Sequence, residues 1–201
     1  MQNTLVIFKS KYGAAEQYAR WIAEELQCPV LELGQVEKTD IEKNSNIIFG
    51  GGVHAGGIEG IDKFIKLTRK HFKNWFYGAH DKNADYQPDL YRPTKNMVIF
   101  AVGIGLKDQD YVKDLRYVNF DKKWLRQVEC YTLDGRYDPE KVKGGDRAVI
   151  GLTLKMLEEE GQAMTEAQKL LKERIENGCD LMDRSQIKPI VDRIRGDQPQ
   201  E

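Results

Sequence analysis

The run Ser10-Lys-Tyr-Gly13-Ala-Ala-Glu16 offers a hydroxyl, a glycine and two nearby basic side chains, Lys9 and Lys11. It sits directly between the apolar run Leu5–Phe8 and a stretch of helical periodicity. That arrangement suits an anion. A buried strand that feeds a tight turn and then a helix leaves the helix's first N–H groups without acceptors. Those donors, with the positive end of the helix dipole, form a seat for a phosphate. Two other stretches follow apolar runs in the same way. Gly50-Gly-Gly-Val-His54-Ala-Gly-Gly57 has five glycines in eight residues, so its backbone can approach a flat ligand closely. The third is Gly103-Ile-Gly105-Leu-Lys107-Asp.

The elements around these stretches decide whether they meet. Leu5–Phe8, Val30–Leu33, Ile47–Phe49 and Met97–Val102 are short, apolar and largely β-branched or aromatic, and a weaker run lies near Val128–Leu133. They read as strands. Between them, Ala15, Tyr18, Ala19, Ile22 and Leu26 recur at helical spacing, as do Ile58, Ile61, Ile65, Thr68 and Phe72. Residues 110–127 are expected to be partly helical. Strands alternating with helices imply crossover connections and a parallel sheet covered on both faces. In such a sheet ligands lie beyond the strands' carboxyl ends, where strand order reverses, so all three stretches face one edge.

Trp75–Pro93, with Trp75, Phe76, Tyr77, Tyr86 and Tyr91 among Gly, Asp, Asn and Pro, reads as a long loop of the kind that serves as a lid or binding loop. Past Asp138 the chain turns helical: Val149, Leu152 and Met156 share a face, and Thr165-Glu-Ala-Gln168 forms a capping box. Ser185 is expected to cap a last short helix with Pro189 in its first turn.

Composition narrows the function. With 31 Lys and Arg against 32 Asp and Glu, no global field draws nucleic acid or anionic lipid. Cys28, Cys130 and Cys179 are far apart and odd in number, so they indicate neither a disulfide framework nor a zinc site. No apolar run approaches the roughly 18 residues of a membrane span, and a cytoplasmic protein is expected. A Rossmann site would need Gly-x-Gly-x-x-Gly after the first strand, and a nucleotide P-loop would need Gly-Lys-Ser/Thr; neither occurs. A phosphoacceptor domain would need acids where Lys9 and Gly50 stand. His54, His71 and His80 lack metal spacing.

With those residues in view, the chain resembles a flavodoxin-type FMN-binding domain, in the branch containing menaquinone-dependent protoporphyrinogen oxidase. The likeness spans roughly residues 3–157. It is carried by Ser10–Glu16, by Ile48-Phe-Gly-Gly-Gly-Val-His54 and by Tyr131-Thr-Leu-Asp-Gly-Arg-Tyr137. The resemblance implies an α/β flavodoxin-like doubly wound five-stranded parallel sheet ordered 2-1-3-4-5, with extra C-terminal helices. It places a flavodoxin-like domain at 1–157 and a helical extension, packed on or beside it, at 158–201. FMN would bind at the crevice between the first and third strands, on Ser10, Lys11, Tyr12, Gly13, Ala14, Ala15, Gly51, Gly52, Val53, His54, Gly103, Ile104 and Gly105. The phosphate would rest on N–H groups from Lys11 to Ala15, with a hydrogen bond from Ser10 and charge from Lys9 or Lys11. Tyr12, Ala14 and Ala15 depart from the hydroxyl and amide side chains usual in flavodoxins, which removes roughly 1 kcal/mol per lost contact.

The second glycine stretch would flank the isoalloxazine, with His54 able to stack or donate. Gly51→Val is then expected to shift the flavin potential more than the melting temperature. The third stretch would cover the other ring face. Neither supplies the usual Trp or Tyr, a role open to Trp75, Tyr77 or Tyr111. Arg136 reads as a solvated turn arginine or as the partner of a substrate carboxylate. The functions implied are electron transfer or oxidoreduction with a redox partner protein or a small planar substrate, a quinone or porphyrin among them. The rival is a cofactor-free interaction module on the same fold.

Overall fold

In the computed structural model residues 3–68, 96–120 and 128–196 are described. The aromatic-rich stretch Trp75–Pro93, with Phe72, His71 and His80, lies outside them. Strands β1 (Thr4–Lys9), β2 (Val30–Glu32), β3 (Asn46–His54), β5 (Asn96–Gly103) and β6 (Glu129–Asp134) form one parallel sheet in the order β2-β1-β3-β5-β6. This is the expected 2-1-3-4-5 order of parallel strands. The numbering shifts because a short arm, β4 (Gly57–Ile58), folds back antiparallel on the end of β3.

Period-two alternation sends side chains to two cores. Leu5, Ile7, Ile47, Phe49 and Ile99 face one side, where residues 61–68 (helix α3) add Ile61 and Phe64 and helix α4 (Gln109–Asn119) adds Leu115. Phe49 and Phe64 stack there with ring centroids 4.4 Å apart. Helix α2 (Lys38–Lys43) contributes Ile41 to the same side. Val6, Phe8, Ile48, Val98 and Phe100 face the other side, covered by helix α1 (Ala14–Leu26) through Ala15, Tyr18, Ala19 and Ile22. Helix α7 (Lys188–Arg195) completes that layer with Ile190 and Val191.

Between β6 and α7 the chain makes an excursion. Strand β7 (Arg136–Tyr137) leads to helices α5 (Gly145–Glu160) and α6 (Glu166–Asn177), and β8 (Cys179–Asp180) returns antiparallel to β7. The boundary expected at 157/158 falls inside α5, and α7, well beyond it, packs against α1 in the core. The Thr165 capping box forms, with the Gln168 N–H 3.2 Å from the Thr165 hydroxyl. Ser185 caps nothing. Asp183 instead accepts from the Ser185 N–H at 2.8 Å in a short 3₁₀ turn, and Pro189 opens α7 as expected.

Part of the second glycine stretch and the turn at Arg136 are ordered strand. Gly50–Gly52 continue β3: Gly50 and Gly51 pair with β1 on one side and β5 on the other, and Gly52 pairs with β5. At Gly50 the space of a side chain is taken: an added Cβ would lie 1.9 Å from Cζ of Phe100. Residues 135–137, read as a turn, run into β7. Among the described residues, no helix is long and apolar enough to cross a membrane.

Candidate functional site

Strand β1 ends in Lys9, and four residues later Gly13 turns the chain into α1 with φ +84°, a conformation that glycine adopts without steric cost. The Ser10 hydroxyl oxygen accepts the Gly13 N–H at 3.0 Å, closing the turn like an N-cap. One of the expected phosphate donors is thereby already engaged. The N–H groups of Lys11, Tyr12, Ala14 and Ala15 have no acceptor among the described residues.

These donors open into a cleft of about 120 Å³ at the carboxyl edge of the sheet. The ends of β1, β3 and β5 meet there. Ten of the residues singled out from sequence line it: Ser10, Lys11, Tyr12, Ala14, Ala15, Gly52, Val53, His54, Gly103 and Ile104. Gly13, Gly51 and Gly105 do not. Gly51 backs onto the β3–β4 arm, where an added Cβ would lie 2.6 Å from the Glu59 carbonyl oxygen. That contact reverses the sequence-based expectation for Gly51→Val, whose first effect falls on stability. Gly105 faces α6, with Leu171 3.4 Å from the position of an added Cβ.

Tyr12 and His54 approach each other across the cleft, ring centroids 5.7 Å apart and tilted by 46°. His54 Nε2 lies 3.7 Å from Glu59 Oε2, a buried oxygen with no hydrogen bond among the described residues. The Ile104 carbonyl is held from behind by the buried guanidinium of Arg174 on α6. Tyr111, one candidate to cover the ring, instead packs on the α3/α4 side of the sheet.

The sequence reading missed the contribution of the β7–α5 region: Gly135, Tyr137, Val142, Asp146 and Ile150 also line the cleft. Gly135 and Tyr137 belong to the Tyr131–Tyr137 motif but were given no place at the cofactor, and no local motif marked Val142, Asp146 or Ile150, which arrive through the pairing of β7 with β8. Asp146, in the first turn of α5, bonds Lys11 Nζ at 2.7 Å and the Tyr12 hydroxyl at 2.5 Å. Lys11 first and Tyr12 second hold its carboxyl below the usual range, while the bond from Asp146 raises both partners. The cleft adjoins a second cavity of about 650 Å³, and the two share Tyr12, Arg136, Tyr137 and Val142.

Among the described residues no cysteine lines the cleft, and Cys179 lines the adjoining cavity. Burial pushes the Cys28 and Cys130 thiols up to about 11, leaving both protonated at neutral pH. Among the described residues no acid, histidine and cysteine cluster could hold a metal ion.

A family model for the flavodoxin domain matches residues 5–166, from the first strand to the opening turn of α6. The chain belongs to the flavodoxin domain family. No curated protein matches it. Among solved structures, this flavodoxin domain resembles a WrbA-like flavodoxin from Agrobacterium tumefaciens at 17% identity and TM-score 0.43, over 88% of this chain and 96% of that one. It also resembles a flavodoxin from the domain Archaea at 11% identity and TM-score 0.42, over 87% and 96% of the two chains. All of it aligns with rubredoxin oxygen:oxidoreductase from Desulfovibrio gigas at 12% identity and TM-score 0.44, and there it spans 38% of the longer protein.

Proposed function

We propose that the chain binds FMN in the cleft at the carboxyl edge of the sheet and acts as an electron-transferring oxidoreductase. One observation carries this reading. Four unpartnered N–H groups at the start of α1 open into the same cleft as the backbone ends of β3 and β5. The donors fit a phosphate monoester. Gly52 and Gly103 offer backbone rather than side chains to a flat ring. The cleft alone is smaller than the roughly 300 Å³ of an ordinary small-molecule pocket, and the adjoining cavity extends it.

FMN, when bound, supplies one- and two-electron chemistry; the protein supplies position and electrostatics. Lys11, Tyr12, Ala14 and Ala15 hold the phosphate through backbone N–H groups. Val53, His54, Gly103 and Ile104 line the space for the ring, and Tyr12 with His54 limits solvent access. Arg174 fixes the Ile104 wall through its carbonyl.

The 650 Å³ cavity favours a second reading, a protoporphyrinogen-oxidase-like enzyme with a quinone acceptor. A planar co-substrate would have room there beside the cofactor, between walls that include Tyr12 and Tyr137. A simple carrier would instead pass electrons to a partner protein.

Purification with FMN and an absorption spectrum test the shared core of both readings. A yellow protein whose flavin fluorescence is quenched on titration is the expected result. A colourless protein with intact circular dichroism, inert to added FMN, would leave an interaction module on this fold. Oxidation of a porphyrinogen by the loaded protein, with matching reduction of an added quinone, separates the enzyme from the carrier.

A further inference from the structure

The phosphate seat has a cation problem. A dianion is held best where a positive side chain shares it with the backbone donors, and the lysines of the loop are already engaged. Lys11 is paired with Asp146 at 2.7 Å, and Lys9 with Glu32 at 2.8 Å. The loop also lacks the side-chain donors that would compensate, since Tyr12 gives its hydroxyl hydrogen to Asp146 and positions 14 and 15 are alanines.

Arg136 stands in a different position. It lies on β7 directly across from Asp180 on β8. Its guanidinium makes no ion pair there. The Asp180 carboxylate accepts from the Met182 N–H at 3.1 Å, and the arginine reaches the other way, to the turn before α1. Its terminal nitrogen lies 3.0 Å from where a Cβ on Gly13 would be. Among the described residues it has no hydrogen-bonding or ionic partner. A guanidinium beside the positive end of a helix is repelled by it. Both face the shared wall of the two cavities, and an anion between them would satisfy both.

We propose that Arg136 is the cation that neutralises the FMN phosphate, reaching it from β7 across the turn at Gly13. Its planar fork suits phosphate oxygens better than a lysine ammonium does. The assignment rests on the FMN reading above and deepens it. It also gives the β7–β8 pairing a purpose, since that ribbon fixes the base of the arginine at the mouth of the seat.

Parallel fluorescence titrations with FMN and riboflavin test it, because the two ligands differ only in the phosphate. Arg136→Ala is expected to weaken FMN binding roughly ten- to a hundredfold and to leave riboflavin within twofold. Arg136→Lys should fall between the wild type and alanine. Added potassium chloride should weaken FMN binding to the wild type more steeply than to Arg136→Ala. If the wild type takes FMN but no riboflavin, the FMN loss and the salt slope decide together. Equal losses for both ligands, or no loss for FMN, would overturn the assignment while FMN binding itself stands. A wild type that binds neither flavin would overturn the FMN reading, and this inference with it.

Discussion

The two ends of the sheet use polar groups in opposite ways. At the amino end Thr4, Asn46 and Asn96 sit in register across β1, β3 and β5. Asn46 Nδ2 donates to Thr4 Oγ1 at 3.1 Å, and Asn96 Nδ2 donates to Asn46 Oδ1 at 2.9 Å. That edge is closed by its own side chains. At the carboxyl end the same strands finish in Lys9, glycine-rich backbone and the unpartnered donors of α1. Buried polar groups are normally satisfied internally, so donors left open at one end mark where a ligand completes the structure.

The sharpest way to break this contrast is to put an acceptor into the open end. Gly13→Asp places a carboxylate beside the phosphate donors and within reach of Arg136. FMN affinity is expected to fall by roughly a hundredfold or more, since two anions would compete for one set of donors. Riboflavin should suffer less. Unchanged FMN titration would place the phosphate elsewhere.

Next in size is Gly51→Val, which tests whether the glycines of β3 serve the ligand or the chain. The Glu59 carbonyl at 2.6 Å from an added Cβ is backbone and cannot swing aside. Overpacking of this kind costs about 1–3 kcal/mol, or several degrees of melting temperature in a domain of this size. A variant that melts with the wild type but shifts the flavin potential would return Gly51 to the cofactor.

Asn46→Ala probes the closed end. It removes the acceptor for Asn96 and the donor to Thr4, at a cost of about 1–2 kcal/mol. Thermal melting should register this while FMN affinity stays unchanged, because the ladder sits at the far edge of the sheet from the cleft. A loss of FMN affinity as large as the loss of stability would mean that the two ends are coupled.

Sequence exposed these two ends unequally. The strands and α1 were legible because short apolar runs and a period-3.6 stripe mark buried elements, as Val6, Phe8, Ala15 and Tyr18 show in one core; the strand order was what the resemblance to flavodoxins implied. The anion turn was legible because Gly13 and Ser10 act within four residues of each other. Gly50–Gly52 misled: the glycines suggested room for a flat ligand, whereas the ring of Phe100, fifty residues on, demands glycine at position 50 inside a strand. Asp146 was hidden for a related reason, and Arg136, read as a turn arginine or a substrate partner, was not placed beside the phosphate turn. Their place at the cleft depends on β7 meeting β8 across the α5–α6 excursion, and no local periodicity encodes a pairing of two residues with two. The apolar face of α5 also misled. Leu152 and Met156, aligned like core residues, are 60% and 59% exposed.

The smallest expected effect concerns the bridge between the open end and that excursion. Asp146 ties α5 to Lys11 and Tyr12, so Asp146→Asn should loosen the cover over the cleft and speed FMN release by roughly two- to fivefold, as fits a partly exposed pair. Acid should reproduce the effect. The Asp146 carboxyl is held below its ordinary value by Lys11 and then Tyr12, so its contribution is complete above the usual carboxylate range and is lost as pH falls through the lowered value. Lys11 is raised by Asp146, so its side of the pair is complete below the ordinary lysine range and is lost only as pH climbs through the raised value. The bridge therefore spans the whole neutral range. Release rates of wild type and Asp146→Asn should differ at pH 7 and converge only in acid well below the ordinary carboxylate range, once pH has fallen through the lowered Asp146 value. Stopped-flow release that differs equally at both pH values would show that the helix is held by packing rather than by the carboxylate.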